Sequence, residues 1–202
     1  MRPDEPLLHE DEPTLKQIAS AIQGDQAAYQ ALYESFAAGV YRLCYSLVLD
    51  EADAEDVTQE SFVYAFRCLK KYDPRKAAFK TWLYTIAVSR CRNVYRRRSL
   101  PLVRLSQLLF DVPAPVSEAP EACAARRAAV EAVAAALARL SPQLREAVVL
   151  RYGHGLAYRE IAEVMGCPQK TAESRVRVAQ EQLRHLLRYH GPSLLEELLR
   201  LA

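Results

Sequence analysis

Apolar residues recur at steps of three and four positions along nearly the whole chain, and this spacing constrains the fold most. It places the apolar side chains on one face of an α-helix. The apolar–polar alternation of a β-strand is almost absent, and only 6 of the 202 residues are glycine. The sequence therefore predicts an all-α protein. The predicted helical segments cover residues 15–49 with a break at Gly24 and Asp25, 51–71, 79–98, 121–140, 144–152, 158–165 and 169–187.

The helical period is lost over residues 99–120, which contain four prolines. A structureless stretch of about twenty residues is too long for an ordinary loop inside a compact domain, so we expect a linker. Because this linker is apolar, we expect it to lie on a partner's surface or to fold back on its own domains. The prediction is two small helical domains joined by an extended linker: an acidic N-terminal arm (1–14), a first domain (15–98), the linker (99–122), a second domain (123–190) and an amphipathic C-terminal tail (191–202).

The five cysteines give no sign of a metal or redox site. Their number is odd, no pair has CxxC spacing, and no cysteine clusters with one of the 4 histidines. We expect reduced, structural thiols; a redox or metal role is the alternative, and no spacing supports it. No cofactor and no catalytic residue is predicted, so the chain is not expected to be an enzyme.

The ends and the hydropathy of the chain favour a cytoplasmic protein. The N-terminal segment is acidic and contains proline, unlike the basic and then apolar start of a signal peptide. The longest apolar run is far shorter than the roughly 18 residues that a membrane helix requires. We therefore expect a cytoplasmic location with no direct membrane insertion.

Acidic residues concentrate at the start of the segment 51–71. Six lie between Asp50 and Glu60, with no basic residue among them. Asp53 is the predicted N-cap of this helix. The carboxylates form either a solvated helix face or a docking surface for a basic partner; catalysis would need a histidine, a nucleophile or a glycine-rich loop, none of which accompanies them. The predicted buried face of the helix consists of Val57, Phe62, Val63, Phe66 and Leu69.

Basic residues concentrate in a second stretch, from Arg90 to Arg104, which holds six arginines and no acid. It follows a helix rich in aromatic residues, and rings interleaved with cations are what a binder of single-stranded nucleic acid needs. The alternative is a solvated arginine cluster beside core aromatics, with Trp82 in the core. The formal net charge of +2 does not decide between them, because it is the sum of these two opposite stretches.

The C-terminal half contains the spacing of a helix-turn-helix. Ala162 is small where two helices must cross, and Gly166 four residues later suits a turn with positive φ. Ile161, Met165 and Ala172 are expected to form the core between the helices. The outward face of the second helix would then carry groups that can bind phosphates and base edges, or else remain a solvated face: Lys170, Thr171, Glu173, Ser174, Arg177 and, close by, Arg175.

Three motifs, in order and with the linker between the second and third, resemble the extracytoplasmic-function sigma factors of bacterial RNA polymerase. The run DAEDVTQESF at 53–62 resembles the family's DAEDLVQETF, and FKTWLYTIA at 79–87 resembles FRTWLYRIA. The third motif, LSPQLREAVVLRY at 140–152 with the helix-turn-helix after it, resembles the domain that reads the promoter −35 element. The match covers about residues 28–187.

The resemblance implies a subunit that binds core RNA polymerase, through its β′ clamp helices and its β subunit, and promoter DNA. The residues implied in binding the polymerase are Asp53, Asp56, Gln59 and Glu60. Those implied in reading the −10 element as a single strand are Lys80, Trp82, Arg90, Arg92, Asn93, Arg96 and Arg97. Those implied in reading the −35 duplex are Lys170, Thr171, Glu173, Ser174, Arg175 and Arg177, where Glu173 replaces a usual cation. An anti-sigma partner is also expected from the family.

Two other functions remain open at this level. An autonomous helix-turn-helix regulator would bind duplex DNA tightly on its own, as a dimer at paired half-sites. A purely protein-binding helical module would show no dependence on DNA. The linker between two separate charged surfaces favours the sigma factor.

Overall fold

The computed structural model describes residues 11–98 and 131–187, and all regular structure within them is helical. The first part contains α1 (Glu12–Ile22), α2 (Gln26–Val48), α3 (Glu51–Arg67), a 3-10 turn (Leu69–Lys71) and α4 (Phe79–Arg98). The second contains α5 (131–139), α6 (Pro142–Val148), a π turn (Val149–Gly153), α7 (Tyr158–Met165) and α8 (Gln169–Leu187). The all-α prediction is confirmed.

Aspartates cap the first three helices. The side chains of Asp11 and Asp25 accept hydrogen bonds from backbone amides in the first turns of α1 and α2, at 3.0 and 2.9 Å. The N-cap of α3 is Asp50, whose carboxylate accepts from the amide of Asp53 at 3.0 Å. The prediction that Asp53 is the cap was therefore wrong. Asp53 instead lies in the first turn, where a negative charge interacts favourably with the helix dipole.

Helices α2, α3 and α4 pack around the core of the first domain. The interior consists of aliphatic residues with almost no exposure, among them Leu32, Leu43, Leu47, Leu83 and Val88. Val63 was predicted to be buried with Phe62, but its exposed fraction is 51% whereas that of Phe62 is 2%. Val63 lies four residues after the exposed Gln59, so it falls on the solvent side of α3 and not on the side that carries Phe62.

The second domain is built around the predicted helix-turn-helix. Pro142 begins α6 directly after Ser141, whose side chain makes no capping hydrogen bond. Gly166 ends α7 with φ of 65°, the conformation predicted for the turn. Ile161, Met165 and Ala172 are buried between α7 and α8, which confirms the predicted small core.

The two domains pack directly against each other. Helix α4 lies against α7, and α2 lies against the π turn, so that the buried residues of both domains form one continuous apolar cluster. The guanidinium of Arg145 in α6 reaches across the boundary and donates to the backbone carbonyl of Leu47 at 2.7 Å. The −10 and −35 surfaces that the sequence suggests are therefore held in one body.

Several predictions lie outside the described residues: most of the arm 1–14, the linker 99–122, the start of the second domain and the tail 191–202. Within residues 11–98 and 131–187, no helix is long and apolar enough to cross a bilayer. Cys44, Cys68, Cys91 and Cys167 are free thiols.

Candidate polymerase and nucleic-acid interfaces

The acidic residues of α3 line an open cleft. Asp56, Gln59 and Glu60 are exposed, and because Gln59 and Glu60 follow Asp56 by three and four residues, all three lie on the same side of the helix. They border a cleft of about 510 Å³ whose other walls come from the end of α3 and from α4. Asp53, predicted with them, is half-buried in the first turn and does not line this cleft.

Two exposed apolar side chains in the same cleft were not identified from the sequence. Val63 and Tyr64 are 51% and 48% exposed, and both lie beside Glu60. Apolar area ringed by charges is typical of the centre of a protein–protein interface. The sequence feature that could have identified Val63 is its position four residues after Gln59, which places it on the same side of α3 as the carboxylates.

Arg90 belongs to this cleft in space, although the sequence grouped it with the −10 residues. Its guanidinium lies 4.8 Å from the centre of the Tyr64 ring, and Nη1 lies 3.2 Å from a carboxylate oxygen of Glu60. Its Nε is buried and has no hydrogen-bond partner among the described residues. The structure therefore separates Arg90 from the rest of the −10 group and places it between α4 and α3.

The rest of the −10 group is spread along α4. Trp82 is half-buried, with its ring centre 5.4 Å from that of Tyr72 and 5.6 Å from that of Phe79, so it is partly a core residue. Near the end of α4, the guanidinium of Arg96 donates to the side-chain oxygen of Asn93. Arg97 is exposed.

Two members of the −10 group, Lys80 and Arg92, contact the second domain. The ammonium of Lys80 donates to the backbone carbonyl of His154 at 3.0 Å. Arg92 forms a bidentate ion pair with the carboxylate of Glu146: Nη2 lies 2.7 Å from Oε2, and Nε lies 3.0 Å from Oε1. Glu146 is 1% exposed, and its hydrogen bond raises the pKa of the Arg92 guanidinium.

His154 is held beside α4 by a second hydrogen bond. Its Nδ1 lies 3.0 Å from the hydroxyl of Tyr84, and the two rings meet edge to face with centres 5.0 Å apart. Burial lowers the pKa of His154 to about 4, and the nearby charges of Lys80 and Arg42 contribute to this lowering. The imidazole is therefore neutral in this contact at pH 7.

Helix α8 presents its predicted reading face to solvent. Lys170, Ser174 and Arg177 are exposed at helical spacing, while Ala172 and Val176 on the opposite face are buried. Thr171, Glu173 and Arg175 are half-buried at the edges of this face. Glu173 accepts a hydrogen bond from the Gln169 side chain at 2.9 Å.

The charged and polar side chains of the described residues suit binding. Among the residues placed by the structure, no three His, Cys, Asp or Glu side chains are grouped so that they could hold a metal ion. The three charged surfaces lie on different helices: an acidic cleft on α3, a cationic face on α4 and a polar face on α8. Such a chain can bind a basic protein surface and the sugar–phosphate backbone of nucleic acid.

Two family models match the chain, one for each domain. Residues 32–100 match Sigma-70 region 2, which spans most of α2 and all of α3 and α4. Residues 130–183 match Sigma-70 region 4, which includes the helix-turn-helix. The order of the two matches along the chain is that of the three motifs.

Whole-chain relatives agree with these matches. The chain is 37% identical to the ECF RNA polymerase sigma factor SigE of Mycolicibacterium smegmatis, over 90% of this chain and 70% of SigE. It is 32% identical to the RNA polymerase sigma-H factor of Pseudomonas aeruginosa, over 83% and 91% of the two chains. The solved structure of CnrH in complex with the cytosolic domain of CnrY is similar with a TM-score of 0.68 and 27% identity, over 90% of this chain and all of CnrH. The chain therefore belongs to the sigma-70 family of promoter-specific transcription initiation factors, in its extracytoplasmic-function group.

Proposed function

We propose that this sigma factor binds core RNA polymerase through the α3 cleft, reads the −10 element as a single strand with α4 and reads the −35 duplex with α8. The observation that carries the docking role is the exposed cleft shared by Asp56, Gln59 and Glu60. A basic helical partner such as the β′ clamp would find carboxylates around the apolar centre of Val63 and Tyr64. Arg90 then orients Glu60 from the side of α4 and does not read DNA itself.

The two DNA-reading roles rest on different kinds of side chain. On α4, a half-exposed Trp82 offers a ring for stacking, and Arg96 and Arg97 offer charges for phosphates. On α8, Lys170, Ser174 and Arg177 form a row that fits the major groove. Because Glu173 carries a negative charge beside that row, we expect weak electrostatic affinity for the −35 duplex.

The partners and setting follow from this role. The chain performs no bond chemistry, since the polymerase that it recruits makes the RNA. It acts in the cytoplasm, where the polymerase and the promoter are. An anti-sigma factor is a further proposed partner, supported by the solved complex of the sigma factor RpoE with the anti-sigma factor NepR of Bartonella quintana, whose fold this chain shares with a TM-score of 0.63.

Run-off transcription tests this function. Purified chain is added to core polymerase on a genomic promoter library, and the 5′ ends of the transcripts are sequenced. We expect a defined set of start sites that share −10 and −35 elements and are absent with core polymerase alone. Transcription that the chain does not stimulate on any promoter would contradict the proposal.

A further inference from the structure

The reading face of α8 carries an acidic side chain among its cations. Glu173 lies one turn after Lys170 and one turn before Arg177, so the three side chains occupy the same side of the helix. Glu173 is also the fifth residue of α8, and the N-terminal part of the second helix in a helix-turn-helix is the part that contacts base edges. Its position on the helix is therefore one from which a side chain meets a base pair.

The carboxylate of Glu173 is held in position by a neutral group. It accepts a hydrogen bond at 2.9 Å from the side-chain amide of Gln169, which lies one turn earlier on the same helix. Arg177, the cation one turn later, pairs with Glu181 at 3.1 Å. A single hydrogen bond from an amide leaves a carboxylate its full charge and most of its four acceptor positions. The carboxylate of Glu173 is therefore oriented and still able to accept hydrogen bonds from a ligand.

DNA offers a carboxylate few partners in its major groove. Phosphates repel a carboxylate, and so do the guanine acceptors N7 and O6. The donors that the major groove presents are the N4 amino group of cytosine and the N6 amino group of adenine. Adenine has the acceptor N7 beside its N6 group, and N7 repels the second carboxylate oxygen, whereas cytosine has a C–H group beside N4. Cytosine is therefore the base whose edge a carboxylate fits best.

Glu173 exchanges general affinity for selectivity. Its charge weakens the attraction of the α8 face to the phosphates of every duplex, whatever the sequence. This loss is offset only where an amino group of a base donates a hydrogen bond to the carboxylate. The neighbouring Lys170 has only donors and suits the guanine acceptors, so the two side chains select different bases.

We propose that Glu173 is a specificity-determining residue of this sigma factor and that it selects a cytosine in the −35 element through the N4 amino group of that base. Gln169 positions the carboxylate, and Lys170 and Arg177 supply the attraction to the duplex. This inference rests on the proposed role of α8 in reading the −35 duplex. A good base contact discriminates against the wrong base about five- to hundredfold, so one position of the element should prefer cytosine by such a factor.

Selection from a randomised promoter library tests this assignment. The full-length chain is assembled with core polymerase and mixed with duplex promoters in which the −35 hexamer is random, while the −10 element and the spacer come from a promoter found by run-off transcription. The bound promoters are sequenced, and the enrichment of the four bases is measured at each position. With the wild-type chain, we expect one position at which cytosine on one strand is enriched at least about fivefold over each other base.

Two substitutions at residue 173 connect this preference to the carboxylate. Glu173→Gln keeps the size of the side chain and adds donors, and an amide pairs with adenine through N6 and N7. The preferred base at that position should therefore change from cytosine to adenine. Glu173→Ala removes the acceptor, so the four bases should be enriched there to within about twofold of one another. Selection at the other positions, which should persist, checks that each variant is folded.

The matched control is Glu181→Gln, which removes the same charge from an exposed position two turns further along α8. We expect this control to change binding to all promoters alike and to leave the cytosine preference intact, because charge acts on phosphates regardless of sequence. Loss of the cytosine preference in the control would mean that charge alone sets it, and this would overturn the assignment.

The same experiment separates failure of the inference from failure of the proposed function. If polymerase with the wild-type chain enriches no −35 sequence, α8 does not read the duplex and both are wrong. If it enriches a −35 sequence with no position that prefers cytosine, the inference alone is wrong, and no variant is needed to show it. Unchanged base preferences in both Glu173→Gln and Glu173→Ala would likewise overturn the inference and leave α8 as the −35 reader.

Discussion

Arg92 and Glu146 lie 54 residues apart in the chain, and their side chains form a two-pronged ion pair with its shortest distance at 2.7 Å. The carboxylate side chain is 1% exposed and the guanidinium side chain 38%, so the pair is buried at one end and open to water at the other. The ion pair joins the helix proposed to read −10 DNA to α6, which lies in the third motif (140–152).

This geometry predicts how the pair contributes to stability. Arg92→Ala should lower the free energy of unfolding by about 3 kcal/mol, because it leaves a buried carboxylate without its partner. Arg92→Ala combined with Glu146→Leu should recover much of this loss, since no buried charge remains. Urea unfolding measures both variants.

The matched control for that cycle is the exposed pair Arg177–Glu181 of α8, at 3.1 Å. Breaking it with Glu181→Gln should change stability by less than about 0.5 kcal/mol. An equally small effect of Arg92→Ala would mean that the two domains do not pack against each other through this ion pair in solution.

Lowering the pH should lower the free energy of unfolding through protonation of His154. The pKa of this imidazole is about 4 in the folded chain against an ordinary value of 6.5, so between these values the unfolded chain binds the proton and the folded chain does not. Stability therefore falls as pH drops from about 6.5 to about 4, by up to about 1.4 kcal/mol per pH unit.

The substitution His154→Asn isolates this effect. An amide can replace the hydrogen bond to the Tyr84 hydroxyl but does not titrate. Urea midpoints measured from pH 7 to pH 4 should fall less steeply in the variant than in wild type. Identical slopes would show that another group governs the acid response.

The turn of the helix-turn-helix depends on Gly166. Its φ is 65°, and a Cβ added there would meet no atom within 4 Å, so the cost of a side chain is backbone strain and not a clash. Gly166→Ala should destabilise the chain by about 1 kcal/mol, and Gly166→Asn by less, because asparagine tolerates this conformation. Thermal unfolding compares the two variants with wild type. Equal stability of the alanine variant and wild type would contradict a positive φ at residue 166.

Docking should depend on position along α3 and not on charge alone. Asp56→Ala and Glu60→Ala remove carboxylates from the cleft, and each should weaken binding to core polymerase by about tenfold. Glu55→Ala is the control, since Glu55 is an exposed acid on the same helix that does not line the cleft. Fluorescence titration of labelled chain with core polymerase measures the three affinities. Equal losses of affinity in all three variants would show that only the total charge of α3 matters, and this would contradict a docking role for the cleft.

The helices and the turn glycine could be predicted from the sequence because their causes are local. The break at Gly24 and Asp25, the extent of α4 and the turn at Gly166 each follow from a few neighbouring residues. The N-cap of α3 was misplaced because two aspartates compete within four residues, and only backbone geometry shows that Asp50 is the one outside the helix.

The domain contact could not be predicted, because its partners are distant in sequence and each has an ordinary local explanation. Arg92 fits a cationic run, and Glu146 fits the polar position of an amphipathic helix. Burial of Glu146 against α4, and of Arg145 against the carbonyl of Leu47 near the end of α2, depends on how two whole domains meet. Arg90 was grouped with the DNA-binding arginines for the same reason: sequence neighbours on a helix point in different directions.

We propose that this chain reads promoter DNA only as part of the polymerase. Footprinting a promoter identified by run-off transcription, with the chain alone and with the chain plus core polymerase, tests it most directly. We predict protection of the −10 and −35 elements with core polymerase, strand opening at −10, and no −10 protection by the chain alone at the same concentration. Tight, two-fold symmetric protection of duplex DNA by the chain alone would contradict the account and identify an autonomous helix-turn-helix regulator.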